Sequence, residues 1–108
     1  MEALVVTFKT PASQEQFTAA TAEHAPVFAE VDGLLAKIWI ADPENGTYGG
    51  IYLFRDRTAL DAYLGSDLFE RILAEPSFEG PSWRCYHVLD ELTAGTQPGI
   101  QIVGGVAA

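Results

Sequence analysis

Few side chains in this sequence could do chemistry, and their types narrow what that chemistry would be. His24 and His87 are its two histidines. A neutral imidazole accepts a proton near neutral pH, so these two are the candidate general bases, with a satisfied histidine in the core or at a pocket edge as the plainer reading of His24. Lys37 stands inside the nearly continuous apolar run from Leu34 to Ala41. A buried ammonium is costly unless paired, so Lys37 either holds an oxyanion in a pocket or snorkels to a sheet edge. Trp39, Tyr52 and Trp83 are large amphipathic rings suited to the walls of a ligand slot or to packing at an interface. Cys85 and His87 have the spacing that puts both on one side of a strand, but two ligands do not make a zinc site and Asp90 does not converge on them, so no metal is expected. Gly49-Gly50 lacks the further glycines and the helix start of a phosphate cradle, and no nucleotide or flavin fingerprint is present. Nor does any Ser or Cys sit in an elbow-like setting for acyl transfer. The expectation is a site of base, donors and aromatic walls that works without a cofactor.

The elements that must carry these residues can be read from pattern. Leu4-Val5-Val6-Thr7-Phe8 is a short strand closed by Pro11. Ser13 and Gln16 form a capping box, and Phe17, Thr21, His24, Phe28 and Val31 then recur at alternating spacings of four and three, one face of a helix. Pro26 is expected to kink that helix or split it in two, and Gly33 to end it. Leu34 to Ala41 and Thr47 to Phe54 are two strands joined by Asp42-Pro43-Glu44-Asn45-Gly46, a hairpin. Asp56 caps a second amphipathic helix bearing Leu60, Tyr63, Leu64, Leu68, Phe69, Ile72 and Leu73, interrupted at Gly65-Ser66-Asp67 and ended by Pro76. Trp83 to Leu89 forms the last strand.

Strand, helix, strand, strand, helix, strand is the split βαβ order of a ferredoxin-like α+β fold: a four-stranded antiparallel sheet with two helices on one face. Residues 1–92 make that domain. Residues 93–108 form a C-terminal tail whose Ile100-Gln101-Ile102-Val103 run is suited to an extra strand at a dimer interface. Side-chain alternation gives the sheet two unlike faces. Leu34, Ala36, Ile38, Ile40, Ile51 and Leu53 form an aliphatic set expected to pack under the helices. Lys37, Trp39, Tyr48, Tyr52, Phe54, Trp83, Cys85 and His87 form the chemically richer set. Strands apolar on both faces require a second cover, and a homodimer would provide it.

Composition bounds the partners. At 108 residues and 48% hydrophobic, the chain has one core and is too apolar for disorder. A net charge of −9 makes nucleic acid and anionic membrane surfaces poor partners. A lone cysteine, no signal-peptide pattern and no apolar stretch of the roughly 20 residues a bilayer requires lead to the expectation of a soluble cytoplasmic protein.

The runs Gly33-Leu34-Leu35-Ala36-Lys37-Ile38-Trp39 and Gly49-Gly50-Ile51-Tyr52-Leu53-Phe54, followed by Ala62-Tyr63-Leu64, resemble the core motif of the YdhR-type putative mono-oxygenases, small ferredoxin-like proteins of the dimeric α+β barrel superfamily. The resemblance implies a homodimer whose sheets form a barrel, and kinship with cofactor-free oxygenases of aromatic polyketides. On that footing the expected activity is a cofactor-independent mono-oxygenase taking dioxygen and a small aromatic substrate, a polycyclic phenol or anthrone. His24 or His87 would be the base, Lys37 and Tyr52 the donors to the substrate anion, Trp39 and Trp83 the walls. A polyketide cyclase or isomerase would use the same groups without oxygen, and a non-catalytic small-molecule-binding dimer would need only the slot.

Overall fold

In a computed structural model, residues 1–96 are described. They form β1 (Glu2–Lys9), α1 (Gln14–Ala22), α2 (Ala25–Ala29), β2 (Leu34–Asp42), β3 (Thr47–Phe54), α3 (Arg57–Leu64), α4 (Asp67–Ala74), β4 (Glu79–His87) and α5 (Asp90–Thr96). The four strands pair antiparallel in the order β2-β3-β1-β4, the ferredoxin-like α+β arrangement.

Local chemistry explains most boundaries. The Ser13 hydroxyl accepts from the Gln16 amide at 3.1 Å while the Gln16 side chain accepts from the Ser13 amide at 2.9 Å, so two otherwise orphaned donors are satisfied. Pro26 does split the first helix: α1 ends at Ala22, and α2 restarts with the proline in its first turn, where a missing donor costs nothing. Gly33 adopts φ +80°, and a Cβ there would overlap the methyl of Ala59, so only glycine closes this turn against α3. The hairpin turns through a short 3₁₀ segment, Pro43–Asn45, with Gly46 at φ +62°. Asp56 and Ser66 cap α3 and α4 by accepting from Ala59 and Phe69.

Three differences from the sequence reading bear on the site. β4 begins at Glu79 rather than Trp83, with an irregularity in its pairing between Thr7 and Lys9 where Gly80 and Pro81 interrupt the ladder. Helix α5 runs across the boundary drawn at Leu92, so residues 93–96 are helical; the Ile100–Val103 run lies outside the described residues. The two sheet faces are also exchanged. The aromatic set, with Leu4, Val6 and Phe8 of β1, is the one buried beneath the helices, while Ala36, Ile38, Ile40, Ile51 and Leu53 look outward. Leu34 escapes this set because the register shifts between Leu34 and Ala36, placing it opposite Phe54 and against the core. Size gives the reason: short, broken helices over a sheet leave gaps that aromatic rings fill and aliphatic stubs do not.

The core beneath the helices is divided. One cluster gathers around Phe54, Leu60, Tyr63 and Phe69; the other is Phe8, Phe17 and Tyr48, closed by Phe78.

Candidate active site

Between the two core clusters lies a cavity of about 550 Å³, roofed by α1, α2 and α4 and floored by β1, β2 and β3. Its floor is set by sheet register. Lys37 pairs with Tyr52, and Trp39 with Gly50, so the lysine and both rings point the same way. Gly50 leaves the space the lysine uses, since a Cβ there would stand 2.9 Å from Lys37 Cε and 3.3 Å from the Tyr52 ring. Gly49 serves a different purpose, because a Cβ there would overlap the Val6 carbonyl of β1, and β1 and β3 approach closely only in its absence.

Lys37 Nζ lies 3.3 Å from the ring centroid of Phe28, 3.5 Å from that of Trp39 and 4.6 Å from that of Tyr52. Phe28 meets Trp39 edge-on at 5.5 Å, completing a three-sided aromatic cage. Ring faces attract the ammonium, yet no carboxylate forms an ion pair with it among the described residues. Burial therefore pushes the Lys37 amine down from its ordinary 10.5 to about 7. A lysine held there carries its charge when an anion arrives and loses it easily otherwise.

Behind the cage, the Tyr63 hydroxyl donates to the Tyr52 hydroxyl at 3.3 Å. Burial pushes the Tyr52 phenol up to about 12 against the pull of that hydrogen bond, and burial beside Tyr52 pushes Tyr63 higher still. Tyr52 thus keeps its proton, and with a lone pair taken up by Tyr63 its O–H is left as a donor.

The candidates read from sequence divide accordingly. His24, Lys37, Trp39 and Tyr52 all line the cavity. His24 sits at the rim, just before α2, exposed and with no side-chain hydrogen bond among the described residues. Trp83 and His87 do not line it. They have the expected parity but belong to the edge strand β4: Trp83 stands edge-on to Phe69 at 5.6 Å, and His87 Nδ1 lies 2.8 Å from the carboxylate of Glu2, its pairing partner on β1, with the ring 81% exposed. Sequence reasoning missed Phe28 as the cage wall, Tyr63 as the support of Tyr52, and Arg71, which reaches the rim from α4. Among the described residues no three His, Cys, Asp or Glu side chains gather as metal ligands. No helix of the described chain is long and apolar enough to cross a membrane.

An antiparallel α+β sheet with helices over one face, and an aromatic cavity between them, defines a small ferredoxin-like α+β protein. Residues 3–98 match the family model described as "Putative mono-oxygenase ydhR", and the chain belongs to that family. No curated protein matches it. Solved structures with the same fold include a protein of unknown function from Nitrosomonas europaea, at 18% identity and TM-score 0.67, covering 82% of this chain and 88% of that one. A mutant of SnoaB from Streptomyces nogalater, a cofactor-independent oxygenase, is 17% identical with TM-score 0.63 over 82% of this chain and 92% of its own. A putative antibiotic biosynthesis monooxygenase from Caulobacter crescentus is 24% identical with TM-score 0.62, over 82% and 89% of the two chains.

Proposed function

We propose that this mono-oxygenase-family protein is a cofactor-independent mono-oxygenase of a polycyclic phenol or anthrone. The observation that carries the reading is the cavity itself: an aromatic slot of about 550 Å³ holding one buried amine, one donating phenol and one unpaired imidazole at its rim. Kinship in fold with SnoaB supports it.

The chemistry follows from those groups. His24 takes the acidic proton of the bound substrate. The resulting enolate or phenolate is held by the Lys37 ammonium and the Tyr52 O–H, donors fixed before charge develops. The electron-rich anion reduces dioxygen by one electron; the radical pair combines into a C–O bond, giving a peroxide. Loss of the remaining C–H proton with cleavage of the O–O bond leaves a carbonyl, and the second oxygen departs as water. One CH₂ and one O₂ become one C=O and one H₂O.

The proposed oxygenation needs Lys37 charged, so kcat/KM should fall as its proton leaves. The falling limb belongs to Lys37, because its proton is lost as pH rises through about 7. Measured by oxygen uptake with anthrone, His24→Ala should lose about two to four orders of magnitude in kcat, and Lys37→Gln should lose the falling limb. His87→Ala should change neither. Label from ¹⁸O₂ should appear in the quinone carbonyl; a product of unchanged mass would make the protein an isomerase or cyclase instead.

A further inference from the structure

The charges around the cavity run against those of the chain. Of fifteen Asp and Glu only Glu75 borders it, whereas two of the six Lys and Arg, Lys37 and Arg71, do. Glu75 is occupied: its Oε1 accepts from the Ser77 amide at 3.2 Å and the Ser77 hydroxyl at 3.0 Å. Arg55 and Arg57 are paired with Asp56 and Asp61 on the surface, but neither Lys37 nor Arg71 has an ion pair among the described residues. A strongly acidic protein thus turns two uncompensated cations toward its apolar slot.

We propose that the cavity binds an aromatic acid, a flat ring system bearing one ionised oxygen group, whose charge is met by Lys37 inside the slot and by Arg71 at its rim. The inference rests on the same cavity as the oxygenase reading and deepens it by fixing the charge of the ligand.

The cage explains why charge matters. Lys37 Nζ covers the ring faces of Phe28 and Trp39 on which a flat ligand would stack. A neutral arene must displace the ammonium and returns nothing for the lost cation–π contacts. An anion keeps the ammonium in the slot as its partner, where low dielectric strengthens the attraction. Binding an anion also favours the protonated amine, so the complex takes up a proton above about pH 7. The other charged or titratable groups that face the slot are His24 before α2, Tyr52 on β3, and Arg71 and Glu75 at the α4 side. Of these Glu75 alone opposes the anion, and Ser77 holds it.

The ionised group could be a carboxylate or a phenolate, and the test separates them. Anthracene-2-carboxylate and its neutral twin anthracene-2-carboxamide are titrated into the full chain, with Trp fluorescence and calorimetry as readouts. The acid should bind about tenfold tighter or more at pH 6.5, as a charge-assisted contact is worth. That preference should shrink toward pH 9, with proton uptake visible in buffers of different ionisation enthalpy. Lys37→Gln and Arg71→Gln should each weaken the acid; Arg71→Gln should leave the amide unchanged, and Lys37→Gln, which frees the ring faces, should not weaken it. If 2-anthrol binds near pH 7 with the red-shifted spectrum of its anion, the phenolate is the recognised group; if only the carboxylate binds tightly, the carboxylate is. Equal affinity of acid and amide for the wild type overturns the inference without any need of variants, as does binding of neither. So does a preference that survives both substitutions. Oxygen uptake is read separately with an anthrone bearing a carboxylate: acid binding without turnover of that compound leaves the inference standing and removes the oxygenase reading.

Discussion

Lys37 shows how one residue's surroundings govern both stability and binding. Its amine titrates near 10.5 in an unfolded chain and at about 7 in the fold. Between these values the unfolded state holds more protons, so the stability of the wild type rises with pH across that window. Below pH 7 both states are protonated and the full cost of burying the charge is present; above 10.5 both are neutral and it is gone. Lys37→Met removes the charge at every pH. The variant should therefore melt higher than wild type at pH 6, and the gap should close as pH climbs from about 7 to 10, as read by circular dichroism. A gap independent of pH would mean that the amine is not desolvated as described. The sequence singled out Lys37, Trp39, Tyr52 and His24 because each is odd for its place: a charge in an apolar run, or a polar tip on a buried stripe. Phe28, Tyr63 and Arg71 look ordinary on their helices. Whether such residues face a cavity depends on how the helices rotate over the sheet, which helical periodicity alone does not set. Trp83 and His87 show the complementary failure. Parity gives the side of a strand correctly but says nothing about distance across the sheet, and both lie on its edge strand.

At the scale of elements, capping and turn chemistry were legible because they are local. Ser13 with Gln16, the Pro26 break, Gly33, the Asn45-Gly46 turn and the Gly65–Asp67 interruption all act within a few residues of where they stand. Face assignment was not, because it depends on the gap between layers and on the register shift near Leu34. The Gly49-Gly50 pair draws the same line: the sequence ruled out a phosphate cradle, while the structure gives each glycine its own spatial role. Adding a methyl at Gly49 would drive it into the Val6 carbonyl, which the β1–β3 ladder holds in place. Gly49→Ala should cost roughly 1–3 kcal/mol, a loss of about 5 °C or more in Tm. A methyl at Gly50 meets the end of a flexible side chain, Lys37 Cε. Gly50→Ala should leave Tm within a few degrees and instead weaken ligand binding in the cavity by moving the amine. Thermal melts beside fluorescence titrations check the pair, and similar melting losses in both variants would show that the two glycines do one job.

The whole molecule has a covered face and an open one. Helices cover one side of the sheet above the cavity, while its other side presents Val5, Ile51 and Leu53, half-buried, from the central strands, with Ile38 45% exposed and Tyr86 53% exposed toward the edges and Arg84 opposite Val5. Water is a poor neighbour for a stripe of this kind, and a largely apolar open sheet face is suited to association. A second copy of the chain is the occupant we infer, because a sheet face can meet its own twofold image, and a net charge of −9 carried elsewhere on the chain leaves this apolar surface as the natural contact. Light scattering at micromolar concentration should give about twice the 11.7 kDa of the chain, since obligate interfaces bury roughly 2,000 Å² or more. Ile38→Glu tests the face directly. Two carboxylates forced together across a twofold seam, without partners, should split the dimer into monomers. Ile38 points away from the cavity while its neighbours Lys37 and Trp39 line or cage it, so the monomer should still bind an aromatic acid, and retained binding certifies that the variant is folded. A wild type that is already monomeric at about 100 µM, a concentration at which even weak dimers persist, would remove this reading of the open face. An Ile38→Glu protein that keeps the dimeric mass would place the interface elsewhere on the molecule.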